Sequence, residues 1–79
     1  MNLVRNIKEY INESVYKIYI INNKVNIVNY VEIKDFSSTK ITVKHQEGYT
    51  IINGKSLVIS KMYENEILVT GSINNIELR

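Results

Sequence analysis

Val15-Tyr16-Lys17-Ile18-Tyr19-Ile20-Ile21, followed after Asn22-Asn23-Lys24 by Val25-Asn26-Ile27-Val28, is the stretch on which the fold turns. β-Branched and aromatic residues dominate it, and such side chains pack well on a pleated, half-buried surface. From Val25 the apolar residues recur at every second position. Val25, Ile27, Val31 and Ile33 alternate with Asn26, Val28, Tyr30 and Glu32, broken only at Asn29. That period turns one face of a strand to a core and the other to water.

The same pattern continues along the chain. Ile41 and Val43 alternate with Thr42 and Lys44, runs begin at Tyr49 and Ile51 and again at Leu57 and Ile59, and Ile67, Val69 and Ile73 mark the last. Turn chemistry separates the runs. Asn53-Gly54 has the strongest hairpin signature, because type I′ turns need φ > 0 at both central residues. Asn22-Asn23, Glu47-Gly48 and Glu64-Asn65 supply further reversals, and Asp35 to Thr39 reads as a polar loop holding Phe36. Gly71 interrupts Ile67-Leu68-Val69-Thr70 and Ser72-Ile73, which predicts a bulge or bend letting one long segment serve two parts of a curled sheet. Upstream the period changes. Leu3, Ile7 and Ile11 lie four apart beside Val4, with Arg5, Lys8 and Glu9 toward water, so residues 3–12 are the one helical candidate.

The expected architecture is all-β: a small antiparallel meander of five to seven short strands, curled, with a short N-terminal helix. Residues 1–14 carry the helix and residues 15–79 form a single β domain, since 79 residues leave room for no second one. The expected core is Ile18, Ile20, Ile27, Ile33, Ile41, Val43, Ile51, Leu57, Ile59, Leu68, Val69 and Ile73. Leu68 and Val69 compete for one face, because a slip of one residue inverts a strand.

Composition narrows the function. A net charge of +2, with Lys and Arg scattered among Glu, lacks the basic cluster that phosphate binding requires. With no Cys there is no disulfide and no thiolate metal site. No apolar stretch approaches the roughly 20 residues of a membrane span, and the first residues lack the apolar core of a signal peptide. A cytoplasmic protein is expected.

His45 is the sole histidine. A zinc site needs three or four ligands and a catalytic base needs a nucleophile and an orienting group, so His45 reads as a strand-end residue near a hairpin. Glu64 and Glu66 flank a turn and read as solvated carboxylates. No G-x-G-x-x-G or P-loop spacing exists. We therefore expect no enzyme, no catalytic residue, no cofactor and no metal. The six Tyr residues invite one other reading. Tyr16, Tyr19 and Tyr30 with Lys17 and Lys34 could stack the bases of a single strand, as small β-barrels do. Packing of half-buried sheet faces or of an interface is the stronger expectation for them.

Several segments in order carry a resemblance. Val25-Asn26-Ile27-Val28-Asn29-Tyr30 leads into Ile33, Phe36, Ser37 and Ile41, then Gly48, Ile51, Gly54, Leu57 and Ile59, and finally Ile67, Val69, Gly71, Ile73 and Ile76. In that order and spacing the chain resembles the YabP/YqfC family of sporulation proteins from endospore-forming Firmicutes, most closely its YqfC branch, over about residues 25–78. Fourteen Ile and eleven Asn fit an AT-rich source. Glu32 stands where the family more often has Gly, and the Pro often found near the start is missing. The resemblance implies a non-enzymatic structural or adaptor component of endospore formation. It implies the mother-cell compartment and a companion sporulation membrane protein as partner.

The binding surface expected from the residues is a strand edge. A meander leaves two edges with unpaired N–H and C=O groups, and this chain has no Pro to blunt them. The candidate edges are residues 15–21 and 73–78. The first carries Lys17 as its only charge, which invites strand addition by a partner or by a second copy. Tyr16, Tyr19 and Ile21 are the candidate interaction residues, the two tyrosines as aromatic anchors; the alternative expectation is that the N-terminal helix covers this edge and keeps the chain monomeric.

Overall fold

The computed structural model describes residues 15–79. The helix expected over residues 3–12 lies outside them. The described residues form one open, curled antiparallel sheet of six strands. These are β1 (Lys17–Ile21), β2 (Lys24–Val28), β3 (Glu32–Phe36), β4 (Lys40–His45), β5 (Gly48–Met62) and β6 (Glu66–Leu78). Their order across the sheet is β1-β2-β6-β5-β4-β3, which corrects the expected meander: β6 lies between β2 and β5, and the consecutive strands β2 and β3 are not neighbours.

The long β5–β6 hairpin organises everything else. Its pairing runs from Met62 opposite Ile67 to Thr50 opposite Leu78. Near the turn, β6 takes β2 on its second side, with Val25 opposite Val69 and Ile27 opposite Ile67. At the far end it is β5 that takes a second partner, with Ile41 of β4 opposite Ile52 and Val43 opposite Thr50. The hairpin therefore belongs to two half-sheets. Between them its register slips near Gly54 and between Lys55 and Val58, and it slips again between Ile59 and Lys61, within the half that carries β2.

Gly71 sits at this bend with φ of 137°, and a Cβ there would lie 2.6 Å from the Ser56 carbonyl oxygen. Ser56, across the bend, takes a positive φ of 53°. The sequence expectation for Gly71 holds. That for Asn53-Gly54 does not: the pair lies inside β5 and turns nothing. Gly54 is needed because a Cβ would lie 2.1 Å from the Ser72 carbonyl oxygen. The two runs expected on either side of it are one bent strand of 15 residues.

The bend brings both half-sheets around one core. Val25, Ile27, Ile67 and Val69 come from one half, and Ile41, Val43, Ile52 and Leu57 from the other. Three expectations are corrected. Ile20 is 59% exposed, because it lies on the outermost strand where the inward face runs past the core. Leu68 takes the face opposite Val69 and is only half-buried. Val25, Ile52 and Ile67, absent from the expected core, are fully buried. Ile18, Ile33, Ile59 and Ile73 pack on the core's margin.

Candidate interaction edge

Among the described residues β1 and β3 end the sheet, and they differ in how well they are guarded. On β3, Glu32, Lys34 and Asp35 put three charges along five residues, and its register slips between Ile33 and Asp35. Charges and bulges are the devices by which natural edges resist pairing. β1 has neither. Its five residues Lys17-Ile18-Tyr19-Ile20-Ile21 pair with β2 in unbroken register and contain one charge. Tyr19 and Ile21 are 50% and 65% exposed.

A tight two-residue reversal holds β1 in place. Asn22 adopts a φ of 52°, a left-handed conformation that Asn tolerates, between Ile21 and its partner Lys24. At the other end Asn29, with φ of 67°, ties three segments together. Its backbone N–H donates to the Asn65 carbonyl at 2.6 Å, and its Nδ2 donates to the Val15 carbonyl at 2.8 Å. Asn65 Nδ2 in turn donates to Asn29 Oδ1. The break that Asn29 makes in the two-residue period is the sequence trace of this junction.

The three candidate residues do not share a face. Tyr19 and Ile21 project from the outer side of β1. Tyr16 projects from the inner side, where its ring stacks on His45 with centroids 4.0 Å apart and an interplanar angle of 12°. Its hydroxyl donates to Thr50 Oγ1 at 2.7 Å. Burial pushes the Tyr16 phenol above its ordinary pKa, and the Thr50 hydroxyl, which can turn to donate to a phenolate, opposes that rise. Tyr16 thus fastens the start of β1 across to β4 and β5, and leaves Tyr19 and Ile21 as the exposed pair.

An open groove of about 390 Å³ lies beside this contact, lined by Tyr16, Ile18, His45, Leu78 and Arg79. Its chemistry is mostly apolar. Arg79 is engaged with Glu77 at 2.9 Å, and this hydrogen bond, helped by one from Asn53, holds the exposed Glu77 carboxyl below its ordinary range. His45 stands at the end of β4, as its position before a reversal predicts. Glu64 lies exposed in the β5–β6 turn and Glu66 opens β6 half-buried. Among the described residues no three His, Asp or Glu side chains gather where a metal could be held. No helix among them is long and apolar enough to cross a membrane. Residues 72–78 pair only with β5, since β2 covers β6 no further than Thr70.

The set proposed for base stacking is dispersed. Tyr16 faces inward and Tyr19 outward. Tyr30 lies between β2 and β3, with its hydroxyl 3.4 Å from the Tyr63 carbonyl.

A family model matches the chain over most of its length. It is that of the YabP family, matched over residues 12–79. The chain belongs to the YabP family. The match begins ahead of β1 and takes in every strand of the sheet, so the unguarded edge lies inside the YabP unit. No curated protein matches the chain, and no solved structure does.

Proposed function

We propose that this YabP-family chain is a non-enzymatic sporulation protein of the YqfC branch, an adaptor that works by presenting the open edge of β1. Membership of the YabP family supports a sporulation-related role. The ordered segments from Val25 to Ile76 support the YqfC branch. On this reading the protein acts in the mother-cell cytoplasm. It meets the membrane around the forespore through a companion sporulation membrane protein. The observation that carries the adaptor reading is the contrast between the two edges. Charges and a bulge guard β3, whereas β1 exposes Tyr19, Ile20 and Ile21 beside main-chain groups that no other strand among the described residues pairs. Strand addition there would take its affinity from main-chain bonds and its specificity from alternate side chains.

The test is genetic. Deleting the gene in its native host should lower the count of heat-resistant spores, and the wild-type gene should restore it. The double variant Tyr19→Lys with Ile21→Lys, whose exposed positions leave the core untouched, should fold normally and fail to restore it. A normal count after deletion would sink the sporulation role. Full restoration by the double variant would sink the edge.

A further inference from the structure

We infer that the occupant of the β1 edge is β1 of a second copy, paired antiparallel about a twofold axis at Tyr19. The inference rests on reading β1 as the binding edge. Its starting point is the direction of the hydrogen bonds. The Asn29 N–H points to β6, where it reaches the Asn65 carbonyl. In an antiparallel ladder this direction alternates along the strand, so Ile27 and Val25 also bond toward β6. Lys24, Asn26 and Val28 are left to bond toward β1, where they meet Ile21, Tyr19 and Lys17. The main-chain groups on the side of β1 that no described strand covers therefore belong to Ile18 and Ile20.

A second β1 fits this spacing. With the axis at Tyr19, Ile18 of each copy exchanges hydrogen bonds with Ile20 of the other, giving four main-chain bonds. The inward faces then set Ile18 and the exposed Ile20 of both copies side by side, extending each core across the junction. On the outward face Tyr19 meets Tyr19 of the second copy, and Lys17 lies opposite Ile21, whose apolar surface its methylene stem can cover.

Charge selects this register over its neighbours. The two Lys17 residues end four positions apart, about 13 Å at the rise of a strand. That exceeds the screening length of about 10 Å at 0.1 M salt. An axis at Ile18 would halve the separation, and an axis at Ile20 would set Ile18 against the turn. A closed twofold pair is also the commonest form of self-association. β3 offers no equivalent, since its edge sets Glu32, Lys34 and Asp35 against any incoming strand.

The chain has no cysteine, so single introduced cysteines report the register directly. Tyr19, Lys17 and Ile21 would occupy non-hydrogen-bonded pairs, where Cα atoms stand about 4.5 Å apart, within disulfide range. Under mild oxidation Tyr19→Cys should cross-link to itself. Lys17→Cys and Ile21→Cys should each stay single alone and form a mixed dimer when combined. By sedimentation the wild type should have twice the mass of one chain, and Tyr19→Lys with Ile21→Lys should return it to one. Self-linkage of Lys17→Cys as strong as that of the mixture would overturn the register. A wild type that stays monomeric at high concentration would overturn the self-pairing. The edge would still stand in that case if the double variant fails to restore spores. A dimer that persists in the double variant would sink the β1 edge altogether.

Discussion

Tyr16 lies flat against His45, with the two rings 4.0 Å apart and 12° from parallel, and this contact joins the first strand to the far half of the sheet. The same tyrosine reaches Thr50, whose side chain is wholly buried. Tyr16→Phe keeps the stack and strands the Thr50 hydroxyl, so it should cost about 1–3 kcal/mol in urea unfolding. It should also change the alkaline limb of stability. Burial raises the folded Tyr16 pKa above the ordinary value of 10.0. The stability this gives is fully present below that value. It is lost as pH rises further, because the unfolded chain releases the proton first. Wild type should therefore lose more stability than Tyr16→Phe between pH 9 and pH 11. Parallel curves for the two proteins would show that Tyr16 is not the group responsible.

Gly71 is the tightest point of the bend. An alanine would place its Cβ 2.6 Å from the Ser56 carbonyl oxygen and 3.0 Å from Leu57 Cα, on a backbone with φ of 137° that L-residues rarely adopt. Gly71→Ala should cost at least the 1–3 kcal/mol typical of such strain, seen as a fall in the urea midpoint. The nearby exposed Val58→Ala should stay within about 0.5 kcal/mol of wild type. Equal midpoints for the two variants would mean that the bend does not depend on glycine.

Thr42 carries a buried hydroxyl that finds no hydrogen-bond partner among the described residues. It sits on β4 opposite Ile51, itself almost fully buried. Thr42→Val removes the unpaired hydroxyl while keeping shape and β-branching. It should raise stability by about 1 kcal/mol, because an unsatisfied buried polar group costs roughly that much or more. A lower thermal midpoint for Thr42→Val would mean that the hydroxyl is bonded in solution.

Base stacking would require Tyr16, Tyr19 and Tyr30 with Lys17 and Lys34 on one surface, but Tyr16 turns inward, Tyr19 and Lys17 turn outward, and Lys34 lies on β3 at the other end of the sheet. Fluorescence anisotropy with a labelled single-stranded oligonucleotide should give no saturable binding at low salt. A micromolar affinity that weakens steeply as salt rises would revive the base-stacking reading.

The strands of this fold are legible in the sequence where polar and apolar residues alternate. Val25 and Ile27 against Asn26, and Ile41 and Val43 against Thr42, mark two strands and the face each turns to the core, although Thr42 on the opposite face is buried as well. The bend at Gly71 is legible too, because a glycine inside an apolar run needs a backbone reason. What misleads is Asn53-Gly54, whose local signature matches a hairpin turn. The Ser72 carbonyl that requires the glycine lies on β6, and no local pattern reports it. Ile51-Ile52 and Ile67-Leu68 are ambiguous for a related reason. Adjacent apolar residues do not say which one faces the core, and only the register with β4 and β2 settles it for Ile52 and Ile67. At the candidate edge, the exposure of Tyr19 and Ile21 follows from the apolar run and its lone charge. The inward turn of Tyr16 depends on His45 and Thr50, about 30 residues downstream.

The hairpin shared by two half-sheets also sets an order of events during synthesis. Asn26 bonds to the Ile67 carbonyl across 41 positions of sequence, so β2 has no second neighbour until β6 leaves the ribosome. β4 can close onto the near part of β5 much earlier, since only a short turn separates them. Val25 and Ile27 must then wait in water while more than thirty further residues are made. Pairings this distant close slowly, on the order of milliseconds to seconds for β-rich domains. Nascent chains halted near Met62 should therefore be sticky, digestible by protease and held by chaperones, whereas those that have passed Leu78 should resist all three.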